Sequence, residues 1–481
     1  MYHEVTKSIA ASQTDKDRLN NNQCSNNQCS NNRRGEIQHS RRAILAASLA
    51  ASCAVIAGGC KSEPEAIAPT TIRTDVPLRL LWVGSESDST ILKRKWEAVA
   101  SQPLRITVVT LERSQCDGVI QSILDQHKSN DLIVYPLMAA ASLTDAKALI
   151  PQADALLGGT SALDSIDKAG DKSPPLARLY PVLRNNASQF AGETIGLPLG
   201  ANLPGILSAE PFEPLNSWAD YDRWIDKDLG GAAAEPLTPG WVGQMFLWRA
   251  AGWTNSQWLF GSENLTPQIN QDDFVAVLQQ MLETSKRYKD GRQSPKQIWE
   301  GILSGKLRGG IGWEVPSEDN STEITVSNLP TRQDTERVLL DPFLPIISIS
   351  TGCRQSAAAV ELLKWISAGE GSQSLAGQIP SVTATRVVGS NDTGARQQRR
   401  SQYQTWLRKR LDTPITLPTL QLLSGDQYYA ALDSEIDRCL DGKSSVKESL
   451  NNVAAAWTTL NEKLNVKEQE RAWRRAQGSR A

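Results

Sequence analysis

Between residues 78 and 149 short apolar runs alternate with segments of helical pattern, and this alternation limits the possible folds more than any other feature. LRLLWVG (78–84) is an apolar run closed by glycine and serine, short enough to read as a buried strand. A helical stretch follows at 89–100, then a strand at 104–112 (LRITVVTLE) and a helix at 117–128. A third strand, DLIVYP (131–136), is stopped by its proline, and a third helix covers 139–149. Strands alternating with helices of this length form parallel β units, so the expected class is α/β. Ligands of such sheets bind beyond the carboxyl ends of the strands. That places Trp82, Gly84, Ser85 and Tyr135 at the mouth of a candidate site, although a tryptophan at 82 serves equally well as core.

The rest of the chain is more loosely written. After a proline-rich stretch (172–181), Gly192-Glu193-Thr194 reads as a hairpin turn and 195–199 as a strand. Two prolines and two glycines nearby suit a crossover between lobes. Helices are expected at 218–228, 241–251, 271–289 and 294–304, with strands at 307–314 and 341–350. Residues 356–367 carry apolar side chains at 359, 360, 362, 363 and 366, a helical stripe. Two more helices are expected at 428–440 and 446–464, and the basic segment 471–480 is expected to fray.

Ahead of all this, residues 40–60 read SRRAILAASLAASCAVIAGGC. An arginine pair, fifteen uncharged residues and a small-residue end form an export signal, too short for a membrane span of about 20 apolar residues. Its start resembles the twin-arginine signal, and Ile56-Ala57-Gly58-Gly59-Cys60 resembles a lipobox with Cys60 as the lipidated residue, although Ala57 stands where leucine is usual. Residues 1–39 are polar and repetitive and are expected to be disordered; 61–76 read as a flexible tether. Removing residues 1–59 shifts the net charge from −2 to −5, with 44 basic against 49 acidic residues. A mildly acidic chain has no electrostatic footprint for nucleic acid.

Histidine is informative by its scarcity. Of three copies only His127 follows the signal, which excludes the usual zinc site and the iron facial triad; beside Lys128 it is expected to be solvated. No G-x-S-x-G elbow occurs. Beyond Cys60 only Cys116, Cys353 and Cys439 remain, too few for a disulfide scaffold. Neither a metal nor a cofactor is expected. Fourteen tryptophans, against eight tyrosines and six phenylalanines, suit a protein that stacks on planar or sugar-like ligands.

From residue 78 to 465 the chain carries an ordered series of weak signals: Asp131–Tyr135 with Leu149-Ile150-Pro151, Gly192-Glu-Thr-Ile-Gly-Leu-Pro198, Leu215-Asn-Ser-Trp-Ala-Asp220, Leu303-Ser-Gly-Lys306 with Ile311-Gly-Trp313, and Ala357–Trp365 with Gln378-Ile-Pro-Ser381. In this order they resemble the extracellular solute-binding proteins of ATP-binding cassette importers, the family of maltose-type receptors. The chain departs from the family at Glu193, where lysine is usual, and at Leu307-Arg308-Gly309. The resemblance implies a two-lobed periplasmic-binding-protein fold (type II), with lobe 1 at 77–199 plus 345–375, lobe 2 at 203–342 plus 380–465, and 466–481 left as a tail. It implies a ligand cleft between the lobes, crossovers near 199–203, 342–346 and 375–380, and no bond chemistry. Mapped onto it, Asn202 follows the first crossover, Trp241 opens a helix facing the cleft, and Trp313 and Glu314 end a strand there. The implied partners are a small solute, most readily a carbohydrate, the permease subunits of an importer, and a membrane reached through lipid on Cys60. Two rival readings stay open: a ligand-sensing receptor without transport, and a carbohydrate-active hydrolase using two of the many carboxylates.

Overall fold

A computed structural model describes residues 74–152, 179–254, 257–261, 264–316, 323–332, 337–367, 369–383, 385, 401–413 and 415–478. The signal-like segment, Cys60, the tether up to residue 73 and the proline-rich stretch 172–178 lie outside the described residues.

Two sheets organise the chain. The first is built on β1 (Leu78–Gly84), β2 (Leu104–Thr110) and β3 (Leu132–Pro136), which pair in parallel as the alternation requires. The remaining strands are short: β4 (Gln189–Phe190), β5 (Glu193–Thr194), β6 (Leu197–Pro198), β7 (Gly205–Ser208), β8 (Ala233–Ala234), β9 (Gly309–Gly312), β10 (Thr325–Ser327), β11 (Val338–Leu339), β12 (Pro345–Ile349) and β13 (Thr416–Leu417). The first sheet runs β2-β1-β3-β12-β6, with β12 antiparallel to both of its neighbours. The second runs β10-β7-β9-β8.

β1 explains its own apolar run. Leu78, Leu80 and Trp82 enter a core shared with helices Glu86–Glu97 and Ser356–Ser367. Leu81 and Val83 point the other way, into a larger core that continues through the second sheet. A strand covered on both faces needs apolar residues at nearly every position. Its one charged residue, Arg79, is held by Asp131 through its backbone N–H and Nε at 2.9 Å and Nη2 at 2.7 Å. The first helix starts earlier than its apolar pattern, because Ser85 caps it by accepting from Asp88 N at 3.1 Å. In β9 the glycines are demanded by packing. A Cβ on Gly310 would lie 2.2 Å from the Ala234 carbonyl oxygen, and one on Gly309 2.6 Å from the Trp224 ring.

The chain leaves the first sheet after β6 and enters the second at β7, returns along 338–344 into β12, and crosses again beyond helix Gly369–Ala376. Helix Gly425–Leu440 then packs against elements belonging to both sheets. Asp426 accepts from Ile120 N (3.2 Å) at the start of helix Val119–Gln126. Seven residues on, Asp433 accepts from Gly240 N (2.5 Å) and Gly243 N (2.9 Å) at the start of helix Val242–Ala251. Seven residues are two turns, so both carboxylates lie on one face and each satisfies N–H groups that a helix start leaves open.

Two expectations are corrected. Residues Val466–Ala476 do not fray: they form a helix that buries Trp473 against Phe260, ring centroids 5.1 Å apart. Gln469, also buried, accepts from Leu423 N and donates to Leu423 O. His127 is not solvated but buried, with Nδ1 2.6 Å from the Leu124 carbonyl oxygen. Cys116, Cys353 and Cys439 are free thiols.

Candidate functional site

The two sheets meet where the turn after β2 reaches the start of helix Val242–Ala251. Arg113 leads that turn. Its guanidinium lies 3.5 Å from the Trp241 ring centroid and 4.2 Å from that of Phe343, and it pairs with Asp341. The backbones touch as well, since a Cβ on Gly240 would lie 2.7 Å from both Arg113 Cβ and Ser114 N. Gly240 has φ +87°, a left-handed conformation that suits glycine. It is further fixed by the Tyr429 hydroxyl, which donates to its carbonyl oxygen at 2.8 Å.

Behind Arg113 stands a tryptophan cluster. Trp313, just past β9, lies 5.0 Å from Trp241 and 5.6 Å from Trp248, the latter edge-on at 74°. Trp241, Gln244 and Trp248 share a side of their helix by the three- and four-residue spacing. Gln244 is fully buried, and neither its Oε1 nor its Nε2 has a hydrogen-bond partner. Arg113 Nη1 is likewise buried and unpartnered. Buried polar atoms are satisfied in the great majority of cases, and these two side chains are among several described ones that are not.

The structure thus brings together Trp241 and Trp313 among the residues singled out from sequence. Glu314 adjoins them, accepting from Ser401 and from Gln404 Nε2; burial raises its carboxyl above the ordinary range and these bonds oppose the rise. Asn202 donates to the Pro380 carbonyl oxygen at 3.2 Å, tying two crossovers, while its Oδ1 is buried without a partner. Ser85 is exposed at the carboxyl end of β1, occupied as a helix cap.

Three residues do other work. Trp82 is core, 2 % exposed, and Gly84 is glycine partly because a Cβ there would lie 2.8 Å from Trp82 Nε1. Tyr135 is fully buried with its hydroxyl 3.0 Å from that of Ser348, so it presents nothing to open space. Arg113, Asp341, Phe343 and Gln244 were not singled out from sequence. Arg113 follows the carboxyl end of β2, where the strand-end rule applied to β1 and β3 would have found it. Gln244 is the one polar side chain in VGQMFLW.

A separate cavity of about 60 Å³ lies beyond Trp248, lined by Leu203, Trp406, Arg337 and Leu339 among others. No residue of the first sheet lines it, so a solute there would not bridge the two halves. Among the described residues no three His, Cys, Asp or Glu side chains gather as a metal site, and no helix is long and apolar enough to cross a membrane.

No family model and no curated protein matches the chain. Solved structures do. A solute-binding protein of an ABC transporter from Agrobacterium radiobacter K84, in complex with ribitol, superposes with a TM-score of 0.61 at 13 % identity over 80 % of this chain and 98 % of that one. Another from Agrobacterium vitis S4, with bound D-mannitol, gives 0.59 at 15 % identity over 81 % and 99 %. A sugar transporter structure from Arthrobacter chlorophenolicus A6, with bound laminaribiose, gives 0.58 at 14 % identity over 80 % and 99 %. The chain therefore has the two-lobed fold of solute-binding proteins, mixed α/β, with the first and second sheets at the hearts of the lobes.

Proposed function

We propose that this protein is the substrate-binding component of an ABC importer, capturing a neutral sugar or polyol between its lobes and presenting it to a membrane permease. The observation that carries this reading is the seam itself. Tryptophan faces lie beside a buried, unpartnered amide on a fold whose solved relatives are sugar- and polyol-binding proteins. Aromatic faces cover the C–H surface of a sugar, and an amide both donates to and accepts from its hydroxyls. Trp241, Trp313 and Gln244 would form the contact surface on lobe 2. Asn202 and Glu314 would offer polar groups near it, with Ser85 at the carboxyl end of β1. Trp82 and Tyr135 would support the site from the core. No bond is made or broken in this scheme.

Export through the signal at 40–60 and lipid on Cys60 would anchor the receptor, and residues 61–76 would let it reach the permease. A Cys60→Ala variant recovered in the soluble fraction supports the anchor; one that stays with membranes refutes it.

The direct test is a thermal-shift screen of residues from 61 onward against ribitol, D-mannitol, laminaribiose and related solutes. A ligand at 100 times its dissociation constant adds about 2.7 kcal/mol of stability. Trp313→Ala should abolish that shift. Release of reducing ends from an oligosaccharide would instead favour a hydrolase, and binding without uptake in cells carrying the permease would favour a sensor.

A further inference from the structure

We propose that Arg113 is a built-in occupant of the ligand platform, holding the lobes shut until a solute displaces it; this rests on the reading of the seam as the binding site. Arg113 comes from the lobe 1 turn after β2, and everything that grips it lies across the seam or on the return crossover. Trp241 covers one aromatic contact at 3.5 Å, Phe343 another at 4.2 Å, and Asp341 supplies the countercharge. This is a complete receptor for a planar cation: aromatic faces around the guanidinium and a carboxylate on its edge. It also covers the Trp241 face that a sugar would need. The grip is not fully satisfied, because Arg113 Nη1 stays buried without a partner. The self-closed state is therefore one that a hydroxyl-rich solute can outcompete. A receptor whose binding-competent form is only part of the population shows its intrinsic affinity reduced by that fraction, so removing the internal occupant should raise apparent affinity.

The sign of that effect separates this role from a ligand contact. In ligand-free protein from residue 61 onward, Arg113→Ala should increase the radius of gyration by solution X-ray scattering relative to wild type. Methylguanidinium chloride at millimolar concentration should reverse the increase by refilling the vacated cage. The solute found in the thermal-shift screen should bind Arg113→Ala about tenfold more tightly than wild type. Arg113→Lys, which keeps the charge but not the planar stack, should fall between the two and serves if the alanine variant does not fold. An unchanged radius, or weaker solute binding by both variants, overturns the proposal. If the radius changes and methylguanidinium reverses it but no sugar or polyol binds any variant, the internal occupant stands and the carbohydrate reading falls.

Discussion

Gln244 sits in a helix whose other polar side chain is the ion-paired Arg249, with both of its own amide atoms unbonded, and a buried unpaired polar group costs about 1–3 kcal/mol. Replacing it by methionine, similar in length and volume, should therefore stabilise the ligand-free protein by about 1 kcal/mol in urea unfolding while weakening solute binding at least tenfold. A variant that loses stability and keeps affinity would show Gln244 to be ordinary core. Tyr135→Phe makes the opposite prediction. It removes one hydroxyl contact to Ser348 within the first sheet, so it should cost about 1 kcal/mol and leave affinity unchanged. Asp433 supplies a pH signature. Burial pushes its carboxyl up to about 6, against the N–H groups of Gly243 and Gly240 that favour the anion, with Asp437 adding to the rise and Arg113 opposing it. A raised carboxyl means that the folded chain holds the proton more tightly than the unfolded one. Its stabilising effect is thus complete below about pH 4 and is lost as pH climbs through about 6. Between pH 5 and 7 this residue should cost the wild type about 1 kcal/mol, and Asp433→Asn should flatten that slope in calorimetry at the two pH values.

Among the elements, the C-terminal helix Val466–Ala476 shows how sequence patterning can mislead. Its segment is dense in Arg, Lys and Glu, and it buries only Gln469, Ala472 and Trp473, a glutamine among them. Nothing in that composition distinguishes a docked helix from a frayed end. What decides is tertiary: Trp473 meets Phe260, which itself stacks on Trp457 at 5.0 Å. Trp473→Ala should cost about 3 kcal/mol, measurable by denaturant unfolding, where a frayed tail would cost nothing. The strands of the first sheet were legible because each announces its own period and its own stop, as at Pro136, whereas the first helix starts ahead of its apolar pattern because Ser85 caps it. Short strands such as β8, β11 and β13 were not, for two residues carry no period. The seam was half legible. Trp241 and Trp313 stand at a helix start and a strand end that the sequence shows, but the surroundings of Arg113 depend on the return crossover at 338–344 and the start of helix Val242–Ala251 folding over it, and the burial of Tyr135 depends on β12, whose Ser348 lies 213 residues further on.

For the molecule as a whole, the larger core runs without a break from one face of the first sheet to the second, and helix Gly425–Leu440 is anchored in both halves through Asp426 and Asp433. The halves should therefore unfold together: one calorimetric transition is expected for residues 61–481, and Asp426→Ala should broaden or split it. The same helix also sets an order of assembly. β3 leaves an open edge until β12 is made, and the start of helix Val119–Gln126 waits 306 residues for Asp426 to cap it. Contacts that span so much chain close late and slowly. Neither half can be finished while the chain is still emerging from the ribosome. A product truncated before residue 345 would lack β12 and present an unpaired apolar sheet edge to whatever it meets, and it should be found with chaperones or proteases rather than as a stable half.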